Sequence, residues 1–307
     1  MPSAPVATLQ PFKPYCGRFA PSPTGDLHQG SLIAAVASYL DARSAHGRWL
    51  VRMEDLDAPR CIPGAADRIL HLLEAWQFKW DGPVLYQSTR QNRYEEVLEF
   101  LRETNAVYPC GCSRKEIAQI AHAGTDGPVY PATCRNGLMP GREPRAWRIR
   151  TVDTPQCFID LIQGKQYAVL SEQTGDFVLR RADGLFAYQL AVVVDDEDQA
   201  VTHIVRGADL LDSTPRQNYL RQLLNYSLPD CAHIPVLANP AGEKLSKQTL
   251  ASPLQIDKPI ASIWSALQFL GQQPPAELLN TTLEELWGWA LGHWQLSQIP
   301  RLRSISC

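Results

Sequence analysis

The chain has 307 residues, of which 45% are hydrophobic and 20% are charged, and its formal net charge is −3. These values are ordinary for a globular protein, and no apolar run approaches the roughly 20 residues of a membrane helix. The charge balance excludes a generic polyanion binder, but a local basic face could still contact nucleic acid.

The first 14 residues are Pro-rich and lack the charged-then-apolar pattern of a secretory signal. We therefore predict a floppy leader over 1–14 and a cytoplasmic protein. The length predicts two domains, or one large domain that carries an insertion. Eight cysteines in such a chain indicate metal or catalytic roles before disulfides.

Residues 15–107 predict the first half of a parallel α/β domain. The pattern indicates a short strand that leads into a Pro-rich turn over 15–22, followed by a helix with apolar residues at helical spacing that ends near Gly47. A buried strand follows, with Glu54 at its far end. Strand, helix and strand with short links form a parallel βαβ unit, and ligands of such sheets bind beyond the carboxyl ends of the strands.

Two amphipathic helices are predicted next, over 64–78 and 90–104. The chain then changes character, because 108–170 is broken by Gly, Pro and Thr and contains the sequence CGC. We interpret 108–170 as an inserted subdomain.

Alternating α/β character returns over 171–250, which we interpret as the second half of the catalytic domain. It includes a helix that starts at Ser213 or Thr214 with Pro215. The acidic run Asp195–Asp198 follows an apolar stretch and is interpreted as a solvated loop. Residues 251–307 are Trp-rich and predict a short helical region.

The stretch "GRFAPSPTGDLHQGSL", residues 17–32, predicts an anion site. A turn before a helix N-terminus exposes backbone N–H groups that lack intrahelical partners, and the helix dipole favours negative charge there. Gly25 and Gly30 let a phosphate approach the backbone closely, and His28 can donate a hydrogen bond. A rigid surface turn is the alternative. The chain has neither the P-loop pattern nor the dinucleotide-binding glycine pattern.

A second motif, "EKLSKQ", places Lys244 and Lys247 on a loop after a strand. Together the two motifs resemble the HIGH and KMSKS signatures of class I aminoacyl-tRNA synthetases, with Ser31 at the last HIGH position and Leu245 in place of Met. "LVRMEDLD", "FAYQLAVVVDD" and "VRGADLL" narrow the resemblance to the glutamyl-tRNA synthetase catalytic domain. It implies a Rossmann-like parallel sheet, and ATP held with Mg²⁺ by Thr24, His28, Gly30, Ser31, Lys244 and Lys247.

The amino acid pocket is implied by the same resemblance. Glutamate carries two carboxylates and an ammonium, so its pocket needs cationic forks and an anion. Arg18 and Arg206 match the arginines, Glu54 would hold the ammonium, and Tyr188 would donate a hydrogen bond. The segment Arg18, Phe19, Ala20, Pro21, Ser22 is implied to line the site. Without the resemblance, surface ion pairs would be the better interpretation of these arginines.

Cys110, Cys112 and Cys134 offer three thiolates, and zinc prefers four ligands. Tyr130, His122 or Cys157 could supply the fourth. A redox pair and buried structural cysteines are the alternatives. Similar proteins bind one structural zinc through C-x-C, a tyrosine and a cysteine, and "VYPATC" fits this pattern, so the resemblance implies Tyr130.

The sequence continues for 60 residues beyond Lys247, so we expect it to lack the anticodon-binding domains of a bacterial glutamyl-tRNA synthetase. In this it resembles the glutamyl-Q tRNA(Asp) synthetase family. The resemblance implies an enzyme, expected to be a monomer, that activates glutamate with ATP without tRNA and transfers it to queuosine in the anticodon loop of tRNA(Asp). A compact glutamyl-tRNA synthetase that charges a tRNA 3′ end and a non-catalytic tRNA-binding paralogue are the alternatives. Candidate RNA contacts are Arg180, Arg181, Arg216 and Arg221.

Overall fold

The structure is a computed structural model that describes residues 14–125, 127–239 and 253–306. Its helices are α1 (Gln29–Ser44), α2 (Ala65–Ala75), α3 (Gln91–Glu103), α4 (Arg114–Ile120), α5 (Leu170–Gln173), α6 (Tyr188–Asp198), α7 (Thr214–Leu223), α8 (Pro259–Phe269) and α9 (Leu283–His293). Its strands are β1 (Cys16–Phe19), β2 (Arg48–Met53), β3 (Leu85–Tyr86), β4 (Val107–Cys110), β5 (Ala123–Gly124), β6 (Gly127–Pro128), β7 (Ala146–Ile149), β8 (Gln156–Asp160), β9 (Gly164–Ala168), β10 (Val178–Arg180), β11 (His203–Gly207), β12 (Asp230–Ile234), β13 (Val236–Ala238) and β14 (Ser304–Ser306).

Two groups of parallel strands form the centre of the fold. β1 pairs with β2 and β2 with β3, while β11 pairs with β12 and β12 with β8. Thr202, just before β11, donates its backbone N–H to the carbonyl oxygen of Cys16 in β1 at 2.9 Å. The two groups therefore lie side by side, and the predicted parallel α/β fold is confirmed. Their carboxyl ends open on one edge, where such sheets bind ligands.

The first elements are close to those predicted but shorter. β1 ends at Phe19, because the following segment contains Pro21 and Pro23, which cannot donate to a strand ladder. The helix α1 ends at Ser44 and not near Gly47, since Gly47 donates its N–H back to the carbonyl of Ala42 at 2.8 Å and closes the last turn.

α1 is buried on most of its surface, which explains its apolar composition. One side packs on the parallel strands, where Trp49 of β2 donates its indole N–H to Ser38 at 3.1 Å. The C-terminal helices cover the other side. Trp287 of α9 donates to the carbonyl of Trp76 at 2.9 Å, and Trp294 donates to Asp41 at 3.1 Å. Helices α8 and α9 form most of this segment, and they pack on the domain core.

The last described residues are not helical. β14 pairs in parallel with β13, and Val236 donates its N–H to the carbonyl of Arg303 at 3.0 Å. A segment predicted as helical thus ends in a strand beside the end of the parallel sheet.

The acidic run Asp195–Asp198 forms the last turn of α6, so its interpretation as a solvated loop is wrong. Asp195 and Asp196 are 0% and 1% exposed. Asp195 accepts hydrogen bonds from Gln87 at 2.8 Å and from the hydroxyl of Tyr94 at 2.7 Å. The partners of these two carboxylates come from distant parts of the chain. The local sequence therefore shows only a run of acidic residues and gives no sign that two of them are buried.

The segment interpreted as an insertion has its own small apolar cluster, built on Tyr108, Cys110, Ile117, Tyr130 and Cys134. The antiparallel strands β4, β7 and β10 form a sheet in the order β10-β7-β4. None of the helices in the described part of the chain combines the length and the apolar character that crossing a bilayer requires.

Candidate active site

A cavity of about 550 Å³ opens beyond the carboxyl ends of β1 and β11. It collects every predicted glutamate- and ATP-site residue that the structure describes: Arg18, Phe19, Ala20, Pro21, Ser22, Thr24, His28, Gly30, Ser31, Glu54, Tyr188 and Arg206. The two remaining predicted residues, Lys244 and Lys247, lie outside the described residues.

Backbone hydrogen bonds fix the Pro-rich turn to the sheet. Glu54 donates its N–H to the carbonyl of Pro21 at 3.0 Å, and Ile62 donates to the carbonyl of Pro23 at 3.0 Å. Gly25 has φ +143°, a conformation that favours glycine. The turn thereby delivers the chain to the N-terminus of α1 at the cavity wall.

His28 is the N-cap of α1. Its Nδ1 accepts the N–H of Ser31 at 3.4 Å, and its Nε2 lies 3.2 Å from the Ser31 hydroxyl. Other amides of the first turn face no intrahelical carbonyl, as at any helix start. With Gly30 also in the wall, this end of the cavity has the chemistry of an anion site.

Arg18 reaches the cavity from a buried ionic network centred on Asp196. The Asp196 carboxylate accepts from Arg18 at 3.3 Å, from Arg52 at 2.8 Å and from Arg221 at 2.8 Å, and all four side chains are at most 4% exposed. Burial favours the neutral acid, but Arg52, Arg18 and Arg221 outweigh it and hold the pKa of Asp196 well below its usual range. The network therefore orients Arg18 rigidly at the end of β1.

Glu54 faces the same cavity in a different electrostatic state. Its side chain is 11% exposed, and one oxygen lies 3.6 Å from Nη2 of Arg52. Burial raises the pKa of Glu54, and the nearby guanidinium groups of Arg52 and Arg18 offset this only in part. A carboxylate whose environment does not fully support its charge is typical of a binding site for a cation.

Arg206 is held on the opposite wall. Its Nη2 donates to Thr214 and to Gln217, both at 2.9 Å, and its Nη1 lies 3.4 Å from the Tyr188 hydroxyl. Burial raises the pKa of Tyr188, so the phenol stays protonated and can donate. Arg206 and Tyr188 both line the cavity, so one polar wall offers a guanidinium and a hydroxyl together.

The structure also brings together the cysteine cluster of the 108–170 segment. The ligand sulfurs of Cys110, Cys112 and Cys134 all lie within 4.8 Å of one another. The Tyr130 hydroxyl lies 3.2 Å from the sulfur of Cys110 and 3.7 Å from that of Cys112. Thiolates are ligands that zinc favours, so the three converging sulfurs could hold one zinc ion.

The two other candidates for the fourth ligand are directed elsewhere. The His122 ring nitrogen Nε2 is 3.2 Å from the carbonyl of Glu172, and Cys157 is exposed on β8. Tyr130 is the candidate that the structure places at the cluster.

Comparison with known proteins gives the family. The model described as "tRNA synthetases class I (E and Q), catalytic domain" matches residues 16–264. A glutamyl-Q tRNA(Asp) synthetase from Dechloromonas aromatica is 58% identical over 290 residues, which are 94% of this chain and 96% of that protein. One from Chromobacterium violaceum is 56% identical over 93% of this chain and 95% of its own length. The chain belongs to the glutamyl-Q tRNA(Asp) synthetase family.

Solved structures support the same fold. The glutamate-tRNA synthetase from Elizabethkingia anophelis superposes with a TM-score of 0.79 at 23% identity, covering 96% of this chain and 68% of that one. At this identity the likeness shows the class I synthetase fold alone.

Several cavity residues of this family member were not predicted. Asp209, Leu210 and the wall from Ile234 to Leu237 also line the cavity. A Cβ at Gly207 would lie 2.4 Å from a carboxylate oxygen of Asp209, so a larger residue there would make that side chain shift. The wall follows β12 at the same sheet edge. This position could have predicted that the segment lies near the cavity, but not which of its residues line it.

The candidate RNA contacts divide into two groups. Arg221 is 1% exposed and bound to Asp196, so its prediction as an RNA contact is wrong. Arg180 and Arg181 are partly exposed and paired with Glu95 and Asp57 respectively, and Arg216 is partly exposed on α7. Arg216 and Arg221 both lie on α7, so helical position in the sequence did not distinguish the buried Arg221 from the partly exposed Arg216.

Proposed function

We propose that the protein activates glutamate with ATP, without tRNA, and transfers the glutamyl group to queuosine in the anticodon loop of tRNA(Asp). The observation that carries this proposal is the similarity to glutamyl-Q tRNA(Asp) synthetases at 49–58% identity over more than nine tenths of both chains. The composition of the cavity supports it, since Arg18, Arg206, Glu54 and a helix N-terminus converge there.

Glutamate would bind at the Arg18 and Arg206 side of the cavity. The guanidinium groups match its carboxylates, Glu54 would accept its ammonium, and the Tyr188 hydroxyl would donate to it. The backbone and side chains from Phe19 to Ser22 would form the floor beneath the substrate.

ATP would bind at the N-terminus of α1, against Thr24, His28, Gly30 and Ser31, with Lys244 and Lys247 closing over the phosphates. Mg²⁺ bound with ATP would neutralise part of the phosphate charge. An oxygen of the glutamate α-carboxylate attacks the α-phosphorus in line, the bond to the β-phosphate oxygen breaks, and pyrophosphate leaves with glutamyl-adenylate formed. A queuosine hydroxyl then attacks the activated carbonyl, and AMP departs as an ester forms.

The deciding experiment is the transfer of labelled glutamate, with ATP and Mg²⁺, to two samples of tRNA(Asp), one with queuosine and one without. We expect label on the queuosine-containing sample alone, because the unmodified base lacks the cyclopentenediol hydroxyls. A matched reaction with tRNA(Glu) tests the alternative of a compact glutamyl-tRNA synthetase. Label on tRNA(Glu) alone would refute the proposal, and label on no tRNA without adenylate formation would favour a non-catalytic paralogue.

We also propose that Cys110, Cys112, Tyr130 and Cys134 hold one structural zinc, which would pin the 108–170 segment without chemistry of its own. The three sulfurs within 4.8 Å of one another support the thiolate ligands. The Tyr130 oxygen, 3.2 Å from the sulfur of Cys110, supports the fourth.

The zinc proposal predicts about one zinc per chain in the purified protein, measured by elemental analysis. Cys134→Ser should lose most of the metal, because one of three converging thiolates is removed. Cys157→Ser is the matched control, since Cys157 is exposed on β8, and it should keep full occupancy. Equal zinc content in the two variants would contradict the ligand set.

A further inference from the structure

Arg206 is attached to a buried chain of polar groups that reaches away from the cavity. Its Nε donates to Nε2 of His233 at 2.9 Å, and Nδ1 of His233 lies 2.5 Å from Oδ2 of Asp160. The three side chains come from neighbouring strands, β11, β12 and β8, and are 5%, 0% and 1% exposed.

The hydrogen-bond roles in this chain are fixed by chemistry. A guanidinium has donors only, so Nε2 of His233 must be the acceptor and carries no proton. The proton of the neutral ring then sits on Nδ1 and is donated to Asp160. Burial is the largest cause that lowers the pKa of His233; Asp160 opposes it and Arg206 adds to it. The net pKa is about 4, so the ring is neutral at pH 7.

Asp160 is itself held in one orientation. Its Oδ1 accepts three backbone N–H groups, from Ile162 at 3.0 Å, Gln163 at 2.8 Å and His233 at 3.1 Å. Burial raises its pKa, but the hydrogen bond from His233, the charge interaction with that ring and the backbone donors outweigh this and lower it. Because three N–H donors face Oδ1, the atom at this position must be an acceptor. Oδ2 is the atom that faces the histidine.

We propose that Asp160 and His233 are positioning residues for glutamate binding: they fix the histidine tautomer that accepts Arg206 and so aim the guanidinium at the substrate carboxylate. This inference rests on the proposed function, because it assigns Arg206 to glutamate. Thr214 and Gln217 hold the Nη2 side of the same guanidinium. His233 and Asp160, which we call the relay, hold the Nε side. Nη1 of Arg206 lies on the Tyr188 side of the guanidinium.

Asp160→Asn is the sharpest test. The amide oxygen must take the Oδ1 position, since an NH2 group there would face three N–H donors. The NH2 group then faces Nδ1 of His233, so the ring must carry its proton on Nε2 and oppose the N–H of Arg206. We expect the KM for glutamate in ATP–pyrophosphate exchange to rise about 10- to 100-fold, by analogy with the loss of a partner that orients a metal-binding histidine. The KM for ATP should stay near the wild-type value.

Two variants of His233 test the same proposal without changing Asp160. His233→Gln keeps an acceptor for Arg206 and a donor for Asp160, and should retain most of the glutamate affinity. His233→Leu has neither group, is of similar bulk, and should show the raised KM for glutamate. An equal KM for glutamate in the Gln and Leu variants would overturn the relay, even if Asp160→Asn failed to fold.

The histidine tautomer gives a readout that is independent of activity. Nitrogen-15 NMR should show the Nδ1–H form of His233 in the wild-type protein and the Nε2–H form in Asp160→Asn. An unchanged tautomer with an unchanged KM for glutamate would refute the relay, and so would an equal rise in both KM values. If the wild-type protein activated no glutamate, the proposed function would fail, whereas the tautomer measurement would still decide the hydrogen-bond assignment.

Discussion

Asp196→Asn should lower the free energy of unfolding by about 3 to 5 kcal/mol, the usual cost of breaking a buried ion pair. Asp196 is the shared acceptor of three buried guanidinium groups, those of Arg18, Arg52 and Arg221. The amide keeps the shape of the side chain but removes the charge that balances them. Against a typical total of about 5 to 15 kcal/mol, this loss is severe.

The measurement is urea unfolding of the variant beside Asp198→Asn. Both substitutions are the same and lie on α6, but Asp198 is at the surface, where it pairs with Arg90 and Arg93. Exposed pairs contribute about 0 to 1 kcal/mol, so the control should lie close to the wild type. Similar midpoints for the two variants would contradict the central role of Asp196.

The pH dependence of this difference has a definite sign. The folded-state pKa of Asp196 lies below its unfolded value, because the guanidinium groups outweigh burial. The carboxylate therefore contributes its full stability above the unfolded pKa of about 3.9 and loses it as the pH falls towards the folded value. The gap between the wild type and Asp196→Asn should be widest near neutral pH and narrow in acid.

The sequence predicted the features that local pattern encodes. The βαβ unit follows from apolar spacing and short links, and the turn before α1 follows from its Pro and Gly content. Because parallel strands end at one sheet edge, the turn before α1 and Glu54 could be expected at one site, whereas Arg206 was assigned to it by the family resemblance alone. The structure places all of them in one cavity. The cluster of Cys110, Cys112 and Cys134 likewise follows from spacing and a single further thiol.

The features that sequence reasoning missed depend on partners far along the chain. Asp196 meets Arg52 across 144 residues and Arg18 across 178, and no local pattern marks such a pair. In the sequence, Arg52 is a charged residue inside an apolar strand. Because a buried charge needs a partner, this residue is the one signal that a buried acid lies elsewhere in the chain. His233 and Asp160 are similar, because neither stands out until β12 and β8 are placed side by side.

The strand β14 was missed for a related reason. Its three residues alternate polar, apolar and polar but are too few to predict a strand, and the strand forms by pairing with β13. A short strand of this kind depends on its tertiary neighbour more than on its own propensity.

Glu54→Gln should reduce kcat/KM for glutamate by about 100- to 1000-fold, equivalent to about 3 to 4 kcal/mol, because the ammonium of the substrate loses its buried anionic partner. The fold should lose nothing, since burial raises the pKa of Glu54 and its charge is a cost to the folded protein. Asp196→Asn is expected to have the opposite effect on stability. The comparison of the two variants therefore separates a carboxylate that stabilises the fold from one that serves binding. Glutamate-dependent ATP–pyrophosphate exchange and urea unfolding measure the two properties.

Asp55→Asn is the matched control for Glu54→Gln. Asp55 is the next residue, but its carboxylate accepts from the N–H and hydroxyl of Ser88, at 2.8 and 2.6 Å, outside the cavity lining. Its kinetics should stay near the wild type. Competition by glutarate, which has both carboxylates but no amino group, isolates the interaction: Glu54→Gln should weaken glutamate binding and leave glutarate binding intact or improved. If both ligands weakened equally, Glu54 would be shaping the cavity and not holding the ammonium.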